Sequence, residues 1–268
     1  MLVEAALLGA VQALTEFLPV SSSAHLLLTP EFAGWTDPFL SGLLLSVALH
    51  LGTALALAVA LWRDWWRLAL GVVGRGADVA VSRRVAAAIV GSTVLVGAVA
   101  FPLRDVLTET RTLMVASITL IAFGLLLAAA DRWAPTRTTY DSTRLPVWLL
   151  VGLSQLVALI PGVSRSGITM TVARLLGVER HAGARFSLLL LTPIVLAIGI
   201  VELASVTGTD AFESVVGALV IGALTAGVVG VAVIRVLLWF VAAHSLLVFG
   251  AYRVALGAAA LVVLALQP

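Results

Sequence analysis

The chain has 268 residues, 61% of them hydrophobic and only 11% charged, far below the roughly 25% charge of an ordinary soluble domain, so water is not its main solvent. Its formal net charge is +2, all 16 basic side chains are Arg, and Cys is absent. This excludes disulfides, thiolate catalysis and cysteine metal sites, and Arg scattered through short loops is an orientation signal rather than a face for nucleic acid.

A bilayer core of roughly 30 Å needs about 20 mostly apolar residues per helical span. In chain order, the first segment, 1–35, is apolar at both ends and broken in the middle by Pro19-Val20-Ser21-Ser22-Ser23. A polar, Pro-containing break predicts a re-entrant helix-loop-helix hairpin rather than a straight helix. Its start, Met1-Leu2-Val3-Glu4, lacks the basic flank of a signal peptide, so this stretch is expected to stay in the mature protein. Straight spans are predicted over 39–62, 85–101 and 112–130. Segment 145–181 is broken again, by Pro161-Gly162-Val163-Ser164-Arg165-Ser166, and predicts a second hairpin; spans follow over 186–206, 213–239 and 245–266. The expected fold is an all-α polytopic membrane protein, six transmembrane helices plus two re-entrant hairpins, in one domain over 1–268.

The Arg distribution gives an orientation. Arg63, Arg67, Arg75, Arg83 and Arg84 mark the loop after the first span as cytoplasmic, Arg104 and Arg111 then fall outside, and Arg132, Arg137 and Arg144 return the chain to the inside. With the Arg-free stretch 207–212 outside and Arg235 at a cytoplasmic end, hairpin 145–181 enters from the cytoplasm and hairpin 1–35 from the other side. The hairpins also repeat at an offset of 143 residues, pairing Gly9, Gln12, Val20, Ser21 and Ser23 with Gly152, Gln155, Val163, Ser164 and Ser166, with Ser22 opposite Arg165. Segments alike in sequence and opposite in insertion are the mark of inverted-topology repeats, here approximately 1–130 and 145–268, whose polar sites lie where broken helices meet.

Ionisable side chains inside apolar segments are functional hypotheses by default. The first hairpin offers Gln12 and Glu16, four residues apart and so on one helix face, then Ser21, Ser22, Ser23 and His25; the second offers Gln155, Ser164, Arg165, Ser166 and Thr169. Together they suit a diphosphate. Arg165 can fork onto phosphate oxygens, and two helix N-termini present free N–H groups to an anion. Glu16 with Gln12 can position a divalent cation, Mg²⁺ or Ca²⁺. A Ser hydroxyl near His can attack phosphorus with His as base and later acid. Plainer readings stand beside these: Ser in a membrane helix often bonds its own backbone or a neighbouring helix, and Glu16 with Arg165 also fits a structural ion pair joining the hairpins. His50, beside Gly52 and Thr53, reads as structural or as a support behind the site's residues, Arg253 in the last span as paired or snorkelling, Glu202 as near the outer end of its span, and Trp62, Trp65 and Trp66 as an interfacial belt.

The stretch Gly9-Ala-Val-Gln12-Ala-Leu-Thr-Glu16-Phe-Leu-Pro-Val-Ser-Ser-Ser-Ala-His25 resembles the first signature of the undecaprenyl-diphosphate phosphatase family, and Pro161-Gly-Val-Ser164-Arg165-Ser166-Gly-Ile-Thr169 resembles its second. Leu49-His50-Leu51-Gly52-Thr53 and Ala184-Arg185-Phe186-Ser187 also look like family positions, so the likeness covers nearly the whole chain. The resemblance implies hydrolysis of undecaprenyl diphosphate to the monophosphate, recycling of that carrier lipid for cell-envelope polymers, and bacitracin resistance. It further implies a divalent-cation requirement and a multi-pass protein of the plasma membrane whose active site opens to the extracytoplasmic side. On this pattern Gln12 and Glu16 sit at the metal, Ser22 or its neighbour is the nucleophile candidate, His25 moves protons, and Arg165 with Ser164 lies on the phosphates. Ser21, Ser23, Ser166 and Thr169 complete the substrate site. Gln12 stands where an acidic residue is commoner, which predicts weaker metal binding, and Ser23-Ala24 replaces a Thr-Gly type pair. Ser and His both remain open as nucleophile, and a homodimer is left open as the assembly.

The main rival is a lipid-phosphate transporter or flippase, because inverted repeats with broken helices are also transporter architecture. An intramembrane Ser protease fits less well, since no G-x-S-x-G occurs and Arg165 calls for an anion. A metalloprotease lacks its H-E-x-x-H.

Overall fold

The computed structural model describes residues 1–40, 42–103, 110, 112–206 and 210–266, without the side chains of Glu31, Leu43, Ile198 and 201–214. The expected positions of Arg104, Arg111 and the Glu202 side chain, and part of the loop 207–212, therefore lie outside the described residues. Eleven α-helices occur in chain order among those described, and no strand: α1 Leu2–Phe17, α2 Ser22–Ala33, α3 Leu43–Ala60, α4 Trp62–Val72, α5 Val79–Ala100, α6 Leu113–Trp133, α7 Leu145–Leu153, α8 Arg165–Leu175, α9 Arg180–Val206, α10 Asp210–Ala243 and α11 Leu247–Leu266. A 3₁₀ turn, Ser154–Leu159, continues α7.

Four helices are long and apolar enough to cross a bilayer by themselves, Val79–Ala100, Leu113–Trp133, the Val215–Ala243 part of α10, and Leu247–Leu266. A fifth span is available if α3 and α4 count together, although they bend by 69° at Leu61. The protein is thus an all-helical, multi-pass membrane protein. By contrast, the 16 residues of α1 reach only about 24 Å at 1.5 Å per residue, short of a crossing, and α2 and α8 are shorter still.

Three helices run past the ends expected from sequence, whereas α3 and α11 start later than expected. The helix α5 begins at Val79, so Arg83 and Arg84 lie inside it rather than in a loop; α9 begins at Arg180 instead of 186; α10 runs from Asp210 to Ala243 instead of 213–239. Apolar runs report the hydrocarbon depth, whereas a helix continues into the polar layer as long as its Arg side chains can reach water. The loop expected after the first span is instead the helix α4, whose Trp62 and Trp66 are exposed while Leu68 and Gly71 are buried.

The breaks in the two short hairpins have a common local cause. Leu18 and Ile160 each precede a proline and are extended, with ψ of 145° and 127°, because the proline ring disfavours the helical region one residue upstream. Each loop then passes through a serine in the left-handed region, Ser21 at φ 77° and Ser164 at φ 69°, the two non-glycine residues with positive φ among those described. They stand 143 positions apart, so both loops turn at corresponding residues. Each serine hydroxyl lies 3.2 Å from that of the serine two positions on, Ser21 with Ser23 and Ser164 with Ser166.

Packing crosses between the halves of the chain. The helix α10 packs on both α1 and α3, α5 packs on α7, α6 packs on α11 and on α8, and α3 packs on α9. Small residues allow the close approaches that membrane helices use in place of a hydrophobic driving force. A Cβ on Gly9 would lie 2.5 Å from the Gly222 carbonyl oxygen, and one on Gly250 would lie 2.8 Å from the Gly124 carbonyl oxygen. These contacts seat α1 against α10 and α11 against α6, and the two loops meet between them.

Candidate active site

Glu16 occupies the last turn of α1 and is the hub of the site, its side chain only 2% exposed. Gln12, one turn earlier, donates its amide to Glu16 Oε2 at 3.2 Å, and the Ser22 hydroxyl, first in α2, donates to the same oxygen at 2.5 Å. From the other hairpin, Arg165 Nη2 donates to Glu16 Oε1 at 3.2 Å. Residues 149 positions apart thus meet on one carboxylate, and each hairpin contributes the first residue of a helix, Ser22 of α2 and Arg165 of α8. Arg165 keeps 23% of its side chain exposed, so an edge of its fork is available beyond the ion pair. His50, on α3, is close enough to interact electrostatically with Glu16, and its Nδ1–H donates to the Ser46 carbonyl at 2.7 Å.

The remaining expected residues divide into two groups. Ser22, Ser23, His25 and Arg165 retain exposed surface, whereas Ser21, Ser164, Ser166 and Thr169 are buried. Ser164 caps α8, accepting from the Gly167 amide at 3.1 Å. Ser166 reaches the carbonyls of Glu16 and Leu18 at 3.3 and 3.0 Å and so ties one hairpin to the other. Thr169 shares a 2.7 Å hydrogen bond with Ser187 and turns back to its own helix, donating toward the Arg165 carbonyl at 2.8 Å. Ser166 and Thr169, expected in the substrate site, therefore have hydroxyls already engaged by protein. Gln155, the counterpart of Gln12, donates to the Gly152 carbonyl at 3.0 Å and does not join the cluster.

Ser22 and His25 point to different partners. The imidazole lies between the Ser21 carbonyl, which takes the Nδ1–H at 2.7 Å, and the Tyr252 hydroxyl, which donates to Nε2 at 2.7 Å; the Tyr252 ring stacks on it with planes 6° apart. Tyr252 was not singled out in the sequence, and Arg253 was read there only as paired or snorkelling. Arg253 is fully buried and, among the described residues, meets no carboxylate: it donates to the carbonyls of Gly162 and Val163 at 3.1 and 2.8 Å. The signal available in the sequence was a charge in the middle of the apolar run 245–266.

One observation bears on a metal. Gln12 Oε1 is buried without a hydrogen-bond partner, beside the Glu16 carboxylate that its amide nitrogen touches. An orphan acceptor next to a buried carboxylate is an oxygen donor set that fits a hard divalent cation. Among the described residues no three of His, Asp and Glu gather into a metal cage, so the protein would supply part of the coordination and a bound phosphate the rest.

The chain is similar to known proteins over nearly its whole length. A protein of Desulforudis audaxviator named undecaprenyl-diphosphatase is 43% identical over 98% of both chains. Similar proteins of the same name from Geotalea daltonii and Gemmatimonas aurantiaca are 42% and 43% identical, covering 97% and 95% of this chain and 97% and 94% of theirs. The family model described as bacitracin resistance protein BacA matches residues 5–259. With the match spanning both hairpins and the helices that hold them, this chain belongs to the bacitracin resistance protein BacA family.

Proposed function

We propose that this chain hydrolyses undecaprenyl diphosphate to the monophosphate and inorganic phosphate at the Glu16 cluster, recycling a carrier lipid for the cell envelope and conferring bacitracin resistance. Relatives named undecaprenyl-diphosphatase that align over nearly the whole chain support the substrate. The single observation that carries the site is the convergence of Ser22, Arg165 and Gln12 on the Glu16 carboxylate.

Of the two nucleophiles open from sequence, the geometry favours Ser22. Its proton already points to a carboxylate oxygen, whereas both ring nitrogens of His25 are engaged. As the Ser22 oxygen attacks the terminal phosphorus, its proton passes to Glu16, and the lipid monophosphate departs as a stable anion. Arg165 offsets the charge gathering on the transferring phosphoryl oxygens. Once Glu16 has passed that proton to the medium, water attacks the phosphorus held on Ser22; Glu16 takes one of its protons and delivers it to the departing Ser22 oxygen, which releases phosphate and restores the hydroxyl. Gln12 and Glu16 would hold a divalent cation, Mg²⁺ or Ca²⁺, which when bound supplies further neutralisation of the diphosphate.

The finer topology belongs to the same proposal: six spans plus two oppositely inserted hairpins, in one domain of inverted repeats, approximately 1–130 and 145–268. The matched left-handed serines and the crosswise packing of α1 on α10 and α7 on α5 support it. The proposal includes a location in the plasma membrane with the site toward the extracytoplasmic face, which the family likeness supports, and a homodimer as the assembly.

Phosphate release from detergent-solubilised undecaprenyl diphosphate, with and without Mg²⁺ or Ca²⁺, tests the reading. Cation-dependent release is expected from the wild type, with a loss of about 10³-fold or more in Arg165→Ala and incomplete rescue by Arg165→Lys, which lacks the bidentate fork. A folded protein that binds the lipid and releases nothing would replace this reading with the transporter one.

A further inference from the structure

Neither signature segment contains α11, yet two adjacent residues of that helix touch both hairpins. Tyr252 donates to His25 Nε2 and stacks on the ring, on the first hairpin. Arg253 donates through Nη2 to Gly162 and Val163, in the loop of the second, and its Nη1 lies 3.5 Å from the Pro19 carbonyl, in the loop of the first. Pro19 and Gly162 are themselves 143 positions apart, so one guanidinium binds the corresponding carbonyl of each loop.

The surroundings are shaped to that side chain. Arg253 is fully buried and forms no ion pair with a carboxylate among the described residues, so backbone carbonyl dipoles are what offset its charge. Gly167 of α8 leaves room for Nη1, which a Cβ there would strike, and a Cβ on Gly124 of α6 would lie 2.9 Å from Arg253 Cβ. The base of the side chain is thereby fixed by the α6–α11 contact and its head by the two loops. A planar, always charged fork with five donors can serve carbonyls on two sides at once; an ammonium on a flexible stem cannot hold the same geometry.

We propose that Tyr252 and Arg253 of α11 are positioning residues that hold the two hairpins in register, Arg253 setting the approach of Arg165 to Glu16 and Tyr252 fixing the ring of His25. This rests on the phosphatase reading for its effect on turnover, but the structural part can be read without any activity. Because the chain has no Cys, Leu27→Cys on α2 and Leu175→Cys on α8, at positions 39% and 52% exposed, give a clean pair for spin labels that reports the distance between hairpins.

A narrow distance distribution is expected for the labelled protein, broadened by Arg253→Met and, to a smaller degree, by Arg253→Lys. With undecaprenyl diphosphate, the Arg253 variants should lose at least about tenfold in kcat while KM stays within about twofold, since the residue acts through others rather than on the lipid. Tyr252→Phe should keep the wild-type distance and lose a few-fold in kcat. Should Arg253→Met fail to fold, Arg253→Lys decides. Wild-type distance and kcat in the Lys variant, or a rise in KM at unchanged kcat, would overturn the proposal. Absence of phosphate release by the wild type would instead defeat the phosphatase reading and leave the distance measurement to decide the positioning role.

Discussion

Glu16 and Asp131 are both carboxylates withdrawn almost wholly from solvent, and both meet Arg, yet their surroundings differ in completeness. Asp131 ends α6 and is saturated: Arg180 approaches both oxygens at 2.7 and 3.2 Å, Arg174 lies at 3.4 Å, and Oδ2 also accepts from the Ser245 hydroxyl at 2.5 Å and the Leu246 amide at 2.9 Å. Those partners come from α8, α9 and the turn just before α11, so the cluster ties α6 to three neighbouring segments. Glu16 has one Arg whose fork is partly free, one hydroxyl able to act as nucleophile, and an amide whose oxygen lacks a partner. Burial of a charge therefore does not by itself mark a site in this protein. What sets Glu16 apart is the kind of group left open beside it, an unpartnered acceptor in Gln12 Oε1 and an attacking hydroxyl in Ser22, whereas the atom left unbonded in the Asp131 cluster is the Arg174 Nε donor.

A third polar group, Arg185 with Asp64 and Tyr140, sides with Asp131. Its guanidinium pairs with Asp64 and lies 4.3 Å from the centre of the Tyr140 ring, joining the α3–α4 bend to α9 and to the 134–144 loop. Burial pushes the Tyr140 phenol above its ordinary range, so it stays a neutral donor at any physiological pH.

The contrast can be broken by experiment, beginning with the largest expected effect. Ser22→Ala should lower kcat by about 10³-fold or more, since the attacking oxygen is lost, with the thermal midpoint in detergent little changed. A turnover near wild type would move the attack to His25 or to water. Gln12→Glu should lower the cation concentration for half-maximal activity by on the order of tenfold, because added ligand charge tightens a hard-cation site. A titration in Mg²⁺ or Ca²⁺ unmoved by that change would separate Gln12 from the metal. Thr169→Val should leave kcat within about twofold and cost roughly 1 kcal/mol of stability through the Ser187 bond. A large loss of activity at unchanged stability would restore Thr169 to the substrate.

Much of the site was legible in the sequence because it is built from local breaks. Proline and serine at fixed offsets announce where α1 and the α7 segment end, and the spacing of Gln12 and Glu16 fixes their common face. What escaped depends on contacts across the chain. No local pattern tells that Tyr252 reaches His25, 227 positions earlier, or that Arg253 is held by carbonyls rather than by water. The bend into α4 escaped for another reason: its Arg and Trp residues read as a loop by composition, and its amphipathic face becomes evident only where Leu68 is buried. His50 was read as structural or as a support behind the site, and that Glu16 is the residue it influences follows from how α3 packs beside α1 rather than from its own neighbours.

The most direct test of the difference between the two carboxylates is a paired measurement of phosphate release and thermal stability on Glu16→Gln and Asp131→Asn. Glu16→Gln should abolish cation-dependent release while melting near the wild type. Asp131→Asn should retain the specific activity of its folded fraction but lose about 3–5 kcal/mol of stability, because Arg180 and Arg174 are left facing a neutral amide. Wild-type turnover in Glu16→Gln, or an inactive Asp131→Asn of undiminished stability, would contradict the assignment of catalysis to Glu16 and of structure to Asp131.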